Sequence, residues 1–225
     1  MSDSIYTRPL RALIFDMDGL MIDSERLYLE VERDMAAGYG KEFGLDAWQR
    51  MMGLKPQEGM RIFVEELRLP LTPHEALARR DVAMRRKYRE EAEPMPGLFD
   101  ILDAFAGKLA LAICTGAQKE FLEIVIDRLG IRPRFSVLQT ADEVERGKPD
   151  PAVYLACCAK LGLDPRACAV LEDCRNGALA AARAGCYTIV VPTVHSQGQD
   201  FGCADFVAAD LTDAQRHISG LLLNE

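Results

Sequence analysis

Among the seven cysteines there is no Cys-x-x-Cys pair, and the three histidines, His74, His195 and His217, show no zinc-ligand spacing. Neither a disulfide framework nor a structural zinc site is therefore expected. The adjacent Cys157 and Cys158 suit a buried helix face, and the odd cysteine count predicts reduced thiols. With no signal-peptide pattern at the start of the chain, a cytoplasmic setting is expected. No apolar run approaches the length of a membrane span. Positive charge is also in deficit: 27 Lys and Arg against 35 Asp and Glu leave a formal net charge of -8, which opposes attraction to nucleic acid or an anionic membrane. The expected partner is a small molecule and the expected state a monomer. One basic stretch, Arg79, Arg80, Arg85, Arg86, Lys87 and Arg89, is interleaved with Asp81, Glu90 and Glu91 and reads as a solvated helix face. There is no internal repeat. A chain of 225 residues can form one large domain, or one domain carrying an insertion.

What the sequence does contain is Leu13-Ile14-Phe15-Asp16-Met17-Asp18-Gly19, where an apolar run ends in two carboxylates two residues apart and a glycine turn. The run from Leu10 reads as a buried strand, and Gly19 lets the backbone turn sharply against a ligand. If the chain stays extended, Asp16 and Asp18 face the same side. Two crowded carboxylates need a cation, or a retained proton, to relieve their repulsion. Both remedies suit phosphoryl transfer, in which one Asp attacks phosphorus beside a metal and the other shuttles a proton.

After Gly19 the pattern is helical, with Ser24 as the expected N-cap of a helix over 24–38 and further helices near 45–52, 56–69 and 73–92. Pro94-Met95-Pro96-Gly97 punctuates the chain. Beyond it, predicted strands at 109–114, 136–138, 167–171 and 187–191 alternate with helices that end at Gly130, Gly162 and Gly185. Asp150-Pro151 marks another helix start. Such alternation predicts an α/β fold with a doubly wound parallel sheet, whose ligands collect at the carboxyl ends of strands. Those ends carry Asp16 and Asp18, Thr115-Gly116, and Glu172-Asp173, with Lys148 in a Gly-Lys-Pro-Asp-Pro loop. Lys148-Pro149 is a candidate cis peptide, because the loop must turn the lysine back before a helix begins.

Four segments in this order, Asp16-Met17-Asp18-Gly19, Thr115, Gly147-Lys148-Pro149 and Leu171-Glu172-Asp173 with Asn176-Gly177, resemble the haloacid dehalogenase superfamily of phosphohydrolases. With Leu20, Asp23, Ser24, Glu25 and Tyr28 added, the chain is most similar to the phosphatases related to beta-phosphoglucomutase, and in style to the pseudouridine-5'-phosphatase branch. The resemblance implies a Rossmann-like catalytic core over residues 1–19 and 94–225, with an inserted helical cap over 20–93. It implies that Asp16 is the nucleophile and Asp18 the general acid and base. Thr115 and Lys148 complete the catalytic set, and the phosphate site comprises Asp16, Gly19, Thr115, Gly116 and Lys148. It further implies a Mg2+ site made by Asp16, the Asp18 carbonyl and Asp173, helped by Glu172. The physical chemistry agrees, since Mg2+ prefers oxygen ligands and a phosphoryl group in transit spreads charge over three oxygens.

The beta-phosphoglucomutases carry a histidine where this chain has Tyr28 and an arginine close to Pro56, although Lys55 could substitute for the latter. A Mg2+-dependent phosphatase acting on a sugar phosphate or nucleoside 5'-monophosphate is therefore the leading expectation. A sugar-phosphate mutase is the alternative and a non-catalytic phospholigand-binding protein the third. Residues 51–55 read as a cap loop, with Tyr28 and Lys55 as specificity residues, while Trp48 and the methionines read first as cap core. Cys174 reads as a small packing residue.

Overall fold

The structure is a computed structural model describing residues 9–51 and 56–223. It divides into two compact units. One takes the described residues up to Ile22 and from Glu93 onward, and the other is Asp23–Ala92.

The first unit is built on a parallel sheet. Among its described residues, strands β1 (Ala12–Phe15), β2 (Ala110–Cys114), β3 (Val137–Gln139), β4 (Cys168–Glu172), β5 (Tyr187–Val190) and β6 (Phe206–Val207) lie in the order β3-β2-β1-β4-β5-β6. Every pairing is parallel. Parallel sheets are covered on both faces, which is why β1 and β4 are buried at every position and read as unbroken apolar runs up to the acidic end of β4. On one face Ala12, Ile14, Ala112, Cys114 and Val170 pack against Val153, Tyr154, Cys157 and Cys158 of helix α7 (Ala152–Leu161) and Ala180, Ala181 and Ala184 of helix α8 (Arg175–Ala184). The small residues of α8 fit this tight layer, and the cysteine pair lies within it. Phe15, alternating to the other face, meets the Phe135 ring edge-on at 6.0 Å.

Gly130, Gly162 and Gly185 close helix α6 (Lys119–Leu129), α7 and α8 in the left-handed conformation, as their positions predict. Helix α5 (Leu98–Phe105) follows the Pro-rich punctuation. The sequence reading did not include β6 or the terminal helix α9 (Leu211–Leu223). Two residues are too few to show a strand period. Helix α9 does carry a start signal, for Asp210 Oδ1 accepts from Asp213 N at 2.7 Å. Sequence order reverses at β1, with β2 and β3 to one side and β4, β5 and β6 to the other. That reversal opens a crevice at the carboxyl ends of the central strands.

The second unit, Asp23–Ala92, is helical: α1 (Ser24–Ala37), α2 (Leu45–Met51), α3 (Pro56–Leu67) and α4 (Pro73–Glu91). Its core gathers Ala36, Phe43, Ala47, Trp48, Met51, Met60, Phe63 and Leu67, with Phe43 and Phe63 edge-to-face at 5.0 Å. Trp48 and Met51 are therefore core residues, while Lys55 and its neighbours 52–54 lie outside the described residues. Helix α4 begins with a reciprocal cap in which Glu75 N donates to Thr72 Oγ1 at 3.2 Å and Thr72 N donates to Glu75 Oε2 at 2.7 Å.

Two expectations are corrected here. Ser24 is the first residue of α1 rather than its cap; Asp23 takes the cap position, and the Ser24 hydroxyl is buried without a hydrogen-bond partner. Arg80 does not lie on a solvated face. It is buried, with its guanidinium 5.1 Å from the Tyr28 ring centre, 3.1 Å from Asp81 Oδ1 and 4.0 Å from Glu32 Oε1. A charged run reads as solvated when its helix has one wet face; α4 instead packs Arg80, Met84 and Tyr88, spaced four apart, on its buried side.

Candidate active site

Backbone pairing carries the chain past the sheet edge at the switch point. Asp16 N donates to Leu171 O at 3.0 Å, extending the β1–β4 ladder by one residue, and Thr115 N donates to Gln139 O at 3.0 Å beyond β2. Asp16, Thr115, Glu172 and Asp173 are consequently all buried at strand ends. Asp18, partly exposed, lies in a tight turn that Gly19 N closes by donating to Ile22 O at 3.0 Å. Gly116 occupies the exposed turn after β2.

Lys148 connects these ends. Its ammonium donates to Asp16 Oδ1 at 2.5 Å and to Glu172 Oε1 at 2.6 Å, and the Cys114 carbonyl lies 3.4 Å away. The Lys148–Pro149 bond is cis, as expected from the loop's position. Burial alone would pull the Lys148 pKa down, but Asp16 and Glu172 outweigh it and hold the amine well above its ordinary range, so it stays charged. Tyr154 of α7 completes the arrangement from below: its hydroxyl donates to Glu172 Oε1, and its ring lies 5.0 Å from the Lys148 ammonium. Burial, then Glu172, push the phenol well above its ordinary pKa, so it remains a neutral donor. No local motif marks Tyr154, although its place six residues after Lys148, on the first turn of the helix that the lysine loop feeds, is a signal a sequence reading could use.

Two glycines explain how the acidic groups come so close. Gly19 has φ +77°, and a Cβ there would overlap Asp173 Oδ2 and lie 2.8 Å from its Cγ. A Cβ on Gly177, within the first turn of α8, would overlap the Glu172 carboxylate. The Asn176-Gly177 pair thus matters for the room it leaves beside Glu172. Thr115 Oγ1 accepts from Ala117 N at 3.0 Å, so its own proton is aimed elsewhere. The four separated motifs therefore meet at one edge of the sheet, while Tyr28 belongs to the other unit.

Residues 10–185 match the family model for haloacid dehalogenase-like hydrolases. The chain belongs to that family. It is 35% identical over 178 residues to a phosphorylated carbohydrates phosphatase of Thermotoga maritima, covering 78% of this chain and 82% of the relative. It is also 34% identical over 215 residues to hexitol phosphatase B of Escherichia coli K12, covering 92% of this chain and 95% of the relative. CbbY from Rhodobacter sphaeroides, solved in complex with phosphate, shares the fold with a TM-score of 0.81, at 23% identity over 91% of this chain and 96% of that one.

This haloacid dehalogenase-like hydrolase has a donor set suited to a hard cation. Burial pushes the Asp16 carboxyl up to about 8 against the pull of Lys148, and the charges of Glu172 and Asp18 add to the rise. Carboxylates here exceed the ammonium that faces them, an excess that a divalent cation would offset. The ligand atoms of Glu172, Asp173 and Cys174 lie within 4.8 Å of one another. Burial, with Asp173 and Glu172 beside it, holds the Cys174 thiol well above its ordinary pKa, and a hard cation such as Mg2+ would favour the oxygens of this group over its sulfur. The space beside Gly19 keeps Asp173 Oδ2 close to the turn that follows Asp16.

Proposed function

We propose that this hydrolase removes phosphate from small phosphorylated carbohydrates or polyols, through a phosphoryl group carried transiently on Asp16. The observation that carries this reading is the Lys148 ammonium 2.5 Å from Asp16 Oδ1 at the sheet switch point, with the Thr115 hydroxyl at the adjacent strand end. An Asp16 oxygen attacks phosphorus as the bond to the leaving oxygen breaks, and Asp18 gives that oxygen its proton. Asp18 then takes a proton from water as the water attacks the phosphorylated Asp16, releasing inorganic phosphate and restoring the carboxylate. Lys148, the Thr115 hydroxyl and the turn at Gly116 hold the phosphoryl oxygens while charge develops on them. Glu172 and Tyr154 orient Lys148.

Asp16, Asp18 and Asp173, helped by Glu172, are the residues that would hold Mg2+, which when bound would neutralise carboxylate and phosphoryl charge. The substrate class is supported by the names of the relatives, one a phosphatase of phosphorylated carbohydrates and one of hexitols. The helical unit Asp23–Ala92 acts in this reading as the cap that selects the leaving group, with Tyr28 a sugar-facing surface.

The experiment is phosphate release across hexose phosphates, hexitol phosphates, glycerol phosphates and nucleoside 5'-monophosphates, alongside isomerisation of hexose 1-phosphates primed with bisphosphate. Fastest release from carbohydrate or polyol phosphates is expected. Isomerisation outrunning release would make the chain a mutase instead.

A further inference from the structure

Asp173 stands one residue beyond the end of β4. Val191 N donates to Glu172 O at 2.7 Å, one residue before Asp173. The Asp173 carbonyl accepts from a side chain, Ser196 Oγ, at 2.7 Å. Ser196 is completely buried, and its hydroxyl in turn accepts from Thr193 N at 2.9 Å. Three residues further on, Gln199 Oε1 accepts from Arg175 N at 2.8 Å, at the first residue of α8. The loop after β5 therefore holds the backbone that follows Asp173 at two points, its own carbonyl and the amide two residues later. Fixing these groups fixes the direction in which Asp173 sends its carboxylate against the Cβ-free face of Gly19.

We propose that the 193–199 loop is a positioning strap for Asp173, with Ser196 its central residue, and that it sets the affinity of the acidic site for a divalent cation. The proposal rests on reading Asp173 as a cation ligand. Neither Ser196 nor Gln199 touches the reacting groups; both act through the backbone.

The test uses the full chain freed of metal, titrated with Mn2+ counted by the electron paramagnetic resonance of the free ion, together with phosphate release from p-nitrophenyl phosphate as Mg2+ is varied. Ser196→Ala should raise the dissociation constant for Mn2+ and the Mg2+ concentration for half activity by ~10-fold or more, the scale of lost support behind a ligand, while kcat at saturating Mg2+ stays within about threefold. Gln199→Ala should raise both by a smaller factor, roughly threefold. Wild-type affinity in a folded Ser196→Ala protein, even one that melts at a lower temperature, overturns the proposal. Should Ser196→Ala fail to fold, the half-buried Gln199 site decides, and unchanged affinity in Gln199→Ala has the same force. A wild-type chain that binds no Mn2+ removes the cation-ligand reading of Asp173, and the proposal with it.

Discussion

Lys148 Nζ and Asp16 Oδ1 lie 2.5 Å apart across 132 residues of chain, and this one ion pair connects the lysine loop to the first strand of the sheet. Both side chains are nearly buried, so neither partner is well solvated without the other. Removing Lys148 would leave the Asp16 and Glu172 carboxylates facing each other without their shared cation.

Lys148→Ala should therefore reduce kcat/KM by at least ~2 kcal/mol of transition-state stabilisation, comparable with losing one preorganised donor. Tyr154→Phe, which removes only the donor to Glu172, should cost less, about 1 kcal/mol. Steady-state kinetics on both variants checks the order. An equal or larger loss for Tyr154→Phe would mean that the phenol does more than orient Glu172.

Asp16→Asn should abolish turnover and leave the fold intact, because an amide cannot attack phosphorus. Circular dichroism checks the fold, and a crystal of the wild-type protein trapped with beryllofluoride should show the adduct on Asp16. Substantial turnover by the Asn variant would end the nucleophile assignment.

Chelation should stop turnover reversibly, and Ca2+ should inhibit in place of Mg2+, since its larger and looser coordination shell misaims a carboxylate nucleophile. Full activity after exhaustive dialysis against chelator would count against the cation site. Gly19→Ala should act at the same place. Its Cβ would overlap Asp173 Oδ2 at a backbone angle that alanine resists, and cation affinity should fall by more than tenfold, on the order of 1.4 kcal/mol or beyond.

The helical unit should show its own pH dependence through Glu32. Burial raises this carboxyl from its ordinary 4.5 to about 7, and Arg80 only partly opposes the rise. A carboxyl whose folded pKa is raised contributes stability below its unfolded value, and that contribution is lost as pH climbs through the folded value. Wild type should thus lose stability relative to Glu32→Gln between about pH 4.5 and 7, with a plateau above that and a total of at most about 3 kcal/mol. Urea unfolding of both proteins from pH 5 to 8 measures the difference. A gap that does not change with pH would show that Glu32 is ionised throughout.

The strand-and-helix alternation after Gly97 was legible in the sequence because a parallel sheet buries both faces and leaves unbroken apolar runs, and those of β2 and β4 end where a polar residue, Thr115 or Glu172, begins the ligand side. The four motifs were legible for the same reason: each stands at a strand end or in a Gly-Pro loop, and such short signals are local. Tyr154, Ser196 and Gln199 were not, because each contributes one polar atom to a group distant in the chain and interrupts no pattern of its own. Arg80 was misread because periodicity reports which positions share a face, and only packing decides whether that face meets water.

By itself the sequence determined the order of elements, the carboxylates available at the strand ends and the glycines that leave them room, since these follow from residue type and spacing. Tertiary structure alone decided that Glu172 turns its Oε1 to Lys148 and Tyr154, that the Ser196 hydroxyl meets the Asp173 carbonyl, and that Glu32 and Arg80 are buried together. These are pairings between groups far apart in sequence. Their energies depend on burial and on distances of a few ångströms, which no local pattern encodes.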